Sequence, residues 1–156
     1  MTNREVGQTY RVIACPQVEA LFNASWTLGA VVRFHTAHKL LLMAHSPEAY
    51  RDLGRLVATM HALPGDEFAT RYVSRFTAAL RSPATRSGHV NALQHAAGYF
   101  KRRLDRATKA ELAAAIDDYR RDRVPLAVPM TLLQKYVREH SVSYLAEQTY
   151  LRSRSG

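Results

Sequence analysis

Apolar side chains recur along this chain at intervals of three and four residues, and most proline- and glycine-bearing breaks fall between the recurrences rather than inside them. That period belongs to α-helices with one buried face. Phe68, Tyr72, Phe76 and Leu80 make one such row, Val90, Leu93, Ala97, Phe100 and Leu104 a second, and Leu112, Ala115, Ile116 and Tyr119 a third. No alternating, strand-like stretch or hairpin signal competes with them. The fold class expected is all-α, a single compact bundle of about six or seven helices.

The breaks carry their own chemistry. Ser46-Pro47-Glu48 reads as a helix start, with a hydroxyl for the free amides, proline in the first turn and an acid at the positive end of the dipole. Leu63-Pro64-Gly65-Asp66 closes that helix near Ala62 and opens the next. Residues 81–88 read as a polar, basic loop, with the following helix starting near His89, and Asp105 caps the one after it. Val124 to Pro129, with two prolines, reads as extended, followed by short helices around Leu132–Glu139 and Ser143–Leu151. Upstream, the proline-free stretch from Ser25 to His45 reads as one long helix. Residues 1–24 read as an N-terminal arm or irregular lead-in, 25–151 as the helical domain and 152–156 as a short basic tail.

A length of 156 residues, 47% of them apolar, is enough for one domain to bury a core without staples. The one cysteine, Cys15, excludes an internal disulfide and a cysteine-built cluster or zinc site. No run approaches the ~18 apolar residues of a membrane span, and the polar start is unlike a secretory signal. A cytoplasmic protein without membrane contact is expected.

Net charge is +9 and is uneven: residues 1–80 carry eight basic and six acidic groups, residues 81–156 fourteen and seven. Arginine dominates, and its planar fork suits phosphates and stacked bases. A polyanion such as RNA is the partner this balance favours, although a basic surface also serves solubility.

Two segments hold the candidate binding residues. Arg33, His35, His38, Lys39 and His45 lie on the first long helix, the histidines and Lys39 sharing one broad face. Their H-x-x-H spacing lacks the glutamate of a metalloprotease motif, and His45 stands two turns, ~10 Å, beyond His38. No metal and no cofactor are expected; hydrogen-bonded structural histidines or histidines facing phosphate are. On the fourth helix Asn91, His95, Gly98 and Arg102 form a polar ridge, flanked by Gln94 and Tyr99, opposite the apolar row. Amides, imidazole and a tyrosine ring suit bases and phosphates. Thr85, Arg86 and His89 stand where free amides attract an anion, and Lys101, Arg102 and Arg103 extend the charge at the other end.

Residues Arg33 to Pro47 (RFHTAHKLLLMAHSP) and Asn91 to Lys101 (NALQHAAGYFK) resemble the YbgA-like family, a helical domain of formerly unknown function. The likeness continues through Tyr119-Arg120, Val124-Pro125-Leu126, Leu132-Leu133 and Gln148 to Leu151, covering roughly residues 26–151. In many relatives the domain follows a cysteine-rich iron–sulfur domain that removes sulfur from 4-thiouridine in tRNA, and the resemblance implies that the helical part holds the tRNA. Asn91, His95, Tyr99 and Lys101 carry over as motif positions. This chain has no cysteine-bearing half, so desulfidation does not carry over to it alone.

The function expected is therefore a binding domain for tRNA or another structured RNA, without catalysis of its own, beside a modifying or desulfurating enzyme supplied in trans. An iron–sulfur desulfidase is one such partner. The alternative is a small enzyme using the histidines of the first and fourth helices on a nucleotide or nucleic acid. His35 or His38 facing His95 across a cleft would favour that alternative.

Overall fold

The computed structural model describes residues 14–152 and contains no strand among them. Residues 14–23 are helical (α1), followed by α2 (Leu28–Ala37), α3 (Lys39–His45), α4 (Pro47–Ala58) and a 3-10 turn at Met60–Ala62. Then come α5 (Gly65–Arg81), α6 (Arg86–Gly98), α7 (Arg106–Arg120), α8 (Ala127–His140), α9 (Ser143–Ala146) and α10 (Thr149–Arg152). One contiguous hydrophobic core joins them, so the all-helical bundle read from the sequence is what forms.

Its axis is α3. Every residue of that helix after Lys39 is buried, His45 included, and α4, α5, α6 and α10 all pack against it. A helix apolar all round belongs in the middle of a bundle. The closest approach is to α6, where a Cβ added to Gly88 would lie 2.1 Å from the Ala44 carbonyl oxygen. Glycine is required there because two backbones meet.

An aromatic belt closes the other flank. Phe22 of α1 meets Trp26, Phe68 and Tyr72 edge-on or tilted at 5.3–6.0 Å, and Phe34 of α2 meets Phe76 at 5.4 Å. Ring pairs at these spacings add about 0.5–1.5 kcal/mol each beyond the area they bury. They explain why the lead-in departs from expectation: residues 14–23 are helical, with Ala14 and Val18 wholly buried. The part of the lead-in before residue 14, and the tail after Arg152, lie outside the described residues.

Three further boundaries differ from the sequence reading. The long first helix begins at a Thr27 cap and breaks at His38, whose φ of −105° and ψ of 7° leave helical space. The fourth helix starts three residues early, at Arg86, because the Thr85 hydroxyl accepts from the Gly88 amide. Half of the stretch expected to be extended is helix: α8 starts at Ala127 and includes Pro129 in its first turn, where no intrahelical donor is needed. The caps at Ser46 and Asp105 are as expected, accepting from Ala49 N at 3.1 Å and Thr108 N at 2.7 Å.

Candidate nucleic-acid interface

Of the fifteen residues singled out from the sequence, the histidines move furthest from expectation. His38, His45 and His89 are buried, so RNA cannot reach them. His38 donates from Nδ1 to the Phe34 carbonyl at 2.7 Å and stacks on the Phe34 ring. Beyond it, the Gln17 side-chain amide lies 3.3 Å from Nε2. His45 donates from Nδ1 to the Ser82 carbonyl at 2.6 Å, tying α3 to the end of α5. His89 lies 2.6 Å from the Tyr150 hydroxyl, which fastens α6 to α10. His35 is half-buried, its ring against Tyr50 and its Nδ1 3.0 Å from the Tyr72 hydroxyl.

Desolvation sets their protonation. Burial lowers the pKa of His35 to about 4, helped by nearby His38, and that of His89 to about 4, helped by His45 and Arg86. Burial also pushes His38 and His45 down against the opposing effect of their carbonyl partners. All four are neutral packing groups at physiological pH. His35 and His38 are engaged by Tyr72 and Phe34 respectively, while His95 is exposed on α6. Among the described residues no three His, Cys, Asp or Glu side chains gather as a metal site.

The N-terminal end of α6 is also committed internally. Thr85 caps the helix, and the Arg86 guanidinium donates to the Tyr119 carbonyl at 2.5 Å, pairs with Asp122 at 2.9 Å and lies over the Tyr119 ring. Arg86 thus closes the last turn of α7 rather than standing free for phosphate. At the other end Arg103, although exposed, donates to the His140 carbonyl at the end of α8.

What remains outward is the ridge, although not as one helix face as expected: α6 ends at Gly98, and Tyr99, Lys101 and Arg102 lie in the turn that follows. Gln94, His95, Gly98, Tyr99, Lys101 and Arg102 are exposed, and Asn91 is half-buried. On one flank Tyr99 stacks on Tyr144 of α9, ring centroids 4.6 Å apart and 17° from parallel. Burial raises the Tyr144 phenol above its ordinary range, and its hydrogen bond to Tyr99 raises it further; Tyr50 is raised likewise by burial and by Tyr99. Both hydroxyls stay neutral, and Tyr99 itself is partly exposed. On the other flank α6 and α7 enclose a groove of about 450 Å³ lined by Gln94, Gly98, Lys101, Lys109, Ile116 and Arg120 among others. A smaller hollow of about 370 Å³ continues it past Asn91 to Arg86, sharing Gln94 and Arg120. Arg33 and Lys39, on α2 and α3, line neither.

Tyr50, Tyr144, Lys109 and Arg120 are additions to the residues read from the sequence. Tyr144 is 45 positions from Tyr99, and no local pattern pairs them. Lys109 and Arg120 belong to a helix whose apolar stripe was legible while its partner face was not.

Ridge, tyrosine stack and groove all fall within the segment shared with known proteins. A family model described as "Protein of unknown function (DUF1722)" matches residues 39–153. The chain is similar to "Uncharacterized protein YbgA" of Escherichia coli (strain K12), 34% identical over 141 residues that cover 90% of this chain and 83% of that protein. No solved structure matches. With the family model spanning most of the chain and a relative of this similarity along nearly all of it, the chain belongs to the YbgA-like family.

Proposed function

We propose that this chain is an RNA-binding accessory domain that holds tRNA for a modifying or desulfurating enzyme on a separate chain. The observation that carries the reading is the outward side of α6 and the turn after it, where the partly exposed Tyr99 ring, stacked on a second ring, adjoins a groove with a cationic rim. Stacking on an aromatic face contributes about 1–3 kcal/mol per base, and arginine or lysine contacts to phosphate add affinity by releasing counterions. The basic excess of residues 81–156, which contain α6 and α7, acts in the same direction. Such a domain works in the cytoplasm, where its RNA and a reduced Cys15 coexist. No helix among the described residues is long and apolar enough to cross a membrane. An iron–sulfur desulfidase is one partner enzyme that fits.

Filter binding of tRNA across a salt series tests the proposal. Affinity should fall steeply with salt yet stay above that for heparin throughout. Equal affinity for tRNA and heparin at every salt concentration reduces the domain to nonspecific charge and ends the proposal.

A further inference from the structure

Gly98 has no internal reason to be glycine. It lies in helical conformation with no positive φ, and a Cβ built on it meets nothing within 4 Å. Glycine in a helix costs about 1 kcal/mol relative to alanine, so neither backbone nor packing accounts for it. The missing side chain does keep the wall of the α6–α7 groove clear. Close approach of a ligand to backbone is what an open glycine allows.

The groove has distinct ends. Lys101 and Lys109 mark one, with Lys109 Nζ donating to the Lys101 carbonyl at 2.8 Å and retaining further donors. Gln94, Asp117 and Arg120 mark the other. Lys109 and Asp117 are eight residues apart on α7, ~12 Å along its axis. Between them the floor is apolar, formed by Leu104, Leu112 and Ile116. Arg120 bonds Asp117 Oδ1 and Arg121 bonds Oδ2, holding the carboxylate below its ordinary pKa and ionised, with lone pairs left for a further donor. A ligand fitting this order has an anionic end, a flat apolar middle and a polar edge carrying donors.

We propose that the α6–α7 groove holds a single nucleotide unit, its phosphate at Lys101 and Lys109, its base over the apolar floor, and its donor groups at Asp117 and Gln94. This deepens the RNA reading and rests on it: the unit is a nucleotide turned out of the bound RNA, beside the Tyr99–Tyr144 stack that holds a neighbour. A groove of about 450 Å³ is within the range of small-ligand sites. An acidic peptide fits less well, because Asp117 repels carboxylates along the groove. Single-stranded elements are read in this way, with bases splayed out and bonded along their edges.

Titrating nucleoside 5′-monophosphates of all four bases into isotope-labelled full-length protein, with inorganic phosphate and uridine as separate arms, tests the assignment. At least one monophosphate should shift the amides of Gln94, Gly98, Leu112 and Ile116. Phosphate alone should move only the Lys101 end. Gly98→Leu fills the groove and should weaken monophosphate binding roughly tenfold or more while the protein stays folded. A groove silent to every monophosphate, shifts reproduced in full by phosphate alone, or undiminished binding in Gly98→Leu would each overturn the inference. If tRNA still outcompetes heparin in that event, the RNA reading survives without the pocket; if tRNA and heparin bind alike while a monophosphate fills the groove, the RNA reading fails instead.

Discussion

Gln148, wholly buried at the far end of the chain, accepts the backbone N–H of Leu40 through its side-chain oxygen at 3.2 Å. Its amide nitrogen donates to the Thr36 carbonyl at 2.7 Å. Thr36 and Leu40 are the pair that a continuous helix would join directly, so the Gln148 amide is inserted into the ladder where α2 gives way to α3. Side-chain insertion of this sort is a recognised origin of helix breaks. It lets the buried α3 take its own direction into the core.

Gln148→Leu should therefore destabilise the fold by about 1–3 kcal/mol, because the buried Leu40 N–H loses its acceptor and the Thr36 carbonyl a donor while volume is nearly kept. Denaturant unfolding measures it, and exchange of the Leu40 amide should quicken. A midpoint equal to the parent's would mean that α2 and α3 rejoin into one helix at no cost.

That break also marks how far the sequence was legible. The rows Phe68–Leu80 and Leu112–Tyr119 and the caps at Ser46 and Asp105 were readable because helical periodicity and capping are local. The division at His38 was not, since its cause is a residue more than one hundred positions away. The same limit governs the site. The exposure of Gln94 and His95 followed from their place opposite Leu93, whereas Arg102, also exposed, lies in the turn beyond the end of α6 at Gly98. Burial of His45 and His89 depends on α5 and α10 arriving from elsewhere. A histidine on a helix face offers no local sign of whether another helix will cover it.

Those buried imidazoles make stability depend on pH in a definite direction. His35 and His89 have folded pKa values near 4 against 6.5 when unfolded, so between these values the unfolded chain binds more protons. Stability is full above about pH 6.5 and declines as pH falls towards 4, each group contributing a loss on the order of 3 kcal/mol at the lower limit. Urea midpoints measured through this window should fall steadily, and His89→Phe should flatten the slope. A flat profile in the parent would show that neither ring is held neutral.

On the ridge, binding and folding should separate. Arg102 is exposed and Leu93 wholly buried. Arg102→Ala should weaken tRNA binding by about 1–3 kcal/mol if it meets a base edge, and less if it meets phosphate, with little change in melting. Tyr99→Ala should lose about 1–3 kcal/mol of binding, and Tyr99→Phe much less, because the ring supplies the stack. Leu93→Ala opens the core and should lower stability by about 2–5 kcal/mol. Early melting of Arg102→Ala with parental tRNA binding by the folded fraction would remove the ridge from the interface.

Two glycines on α6 should respond oppositely to alanine. At Gly88 the added Cβ would meet the Ala44 carbonyl oxygen at 2.1 Å, with Thr85 Oγ1 also close, so α6 must move off α3. Backbone cannot yield as a flexible side chain can, and α3 is the element on which the bundle packs. Gly88→Ala should therefore lower stability by about 3 kcal/mol or more, in the range of severe overpacking. At Gly98 the same methyl enters open space, and the helix gains about 0.5–1 kcal/mol from reduced freedom of the unfolded chain. Thermal melts of the two variants beside the parent decide the matter. A stable Gly88→Ala would show that the α3–α6 approach can relax, whereas a destabilised Gly98→Ala would mean that Gly98 serves the fold and not the groove.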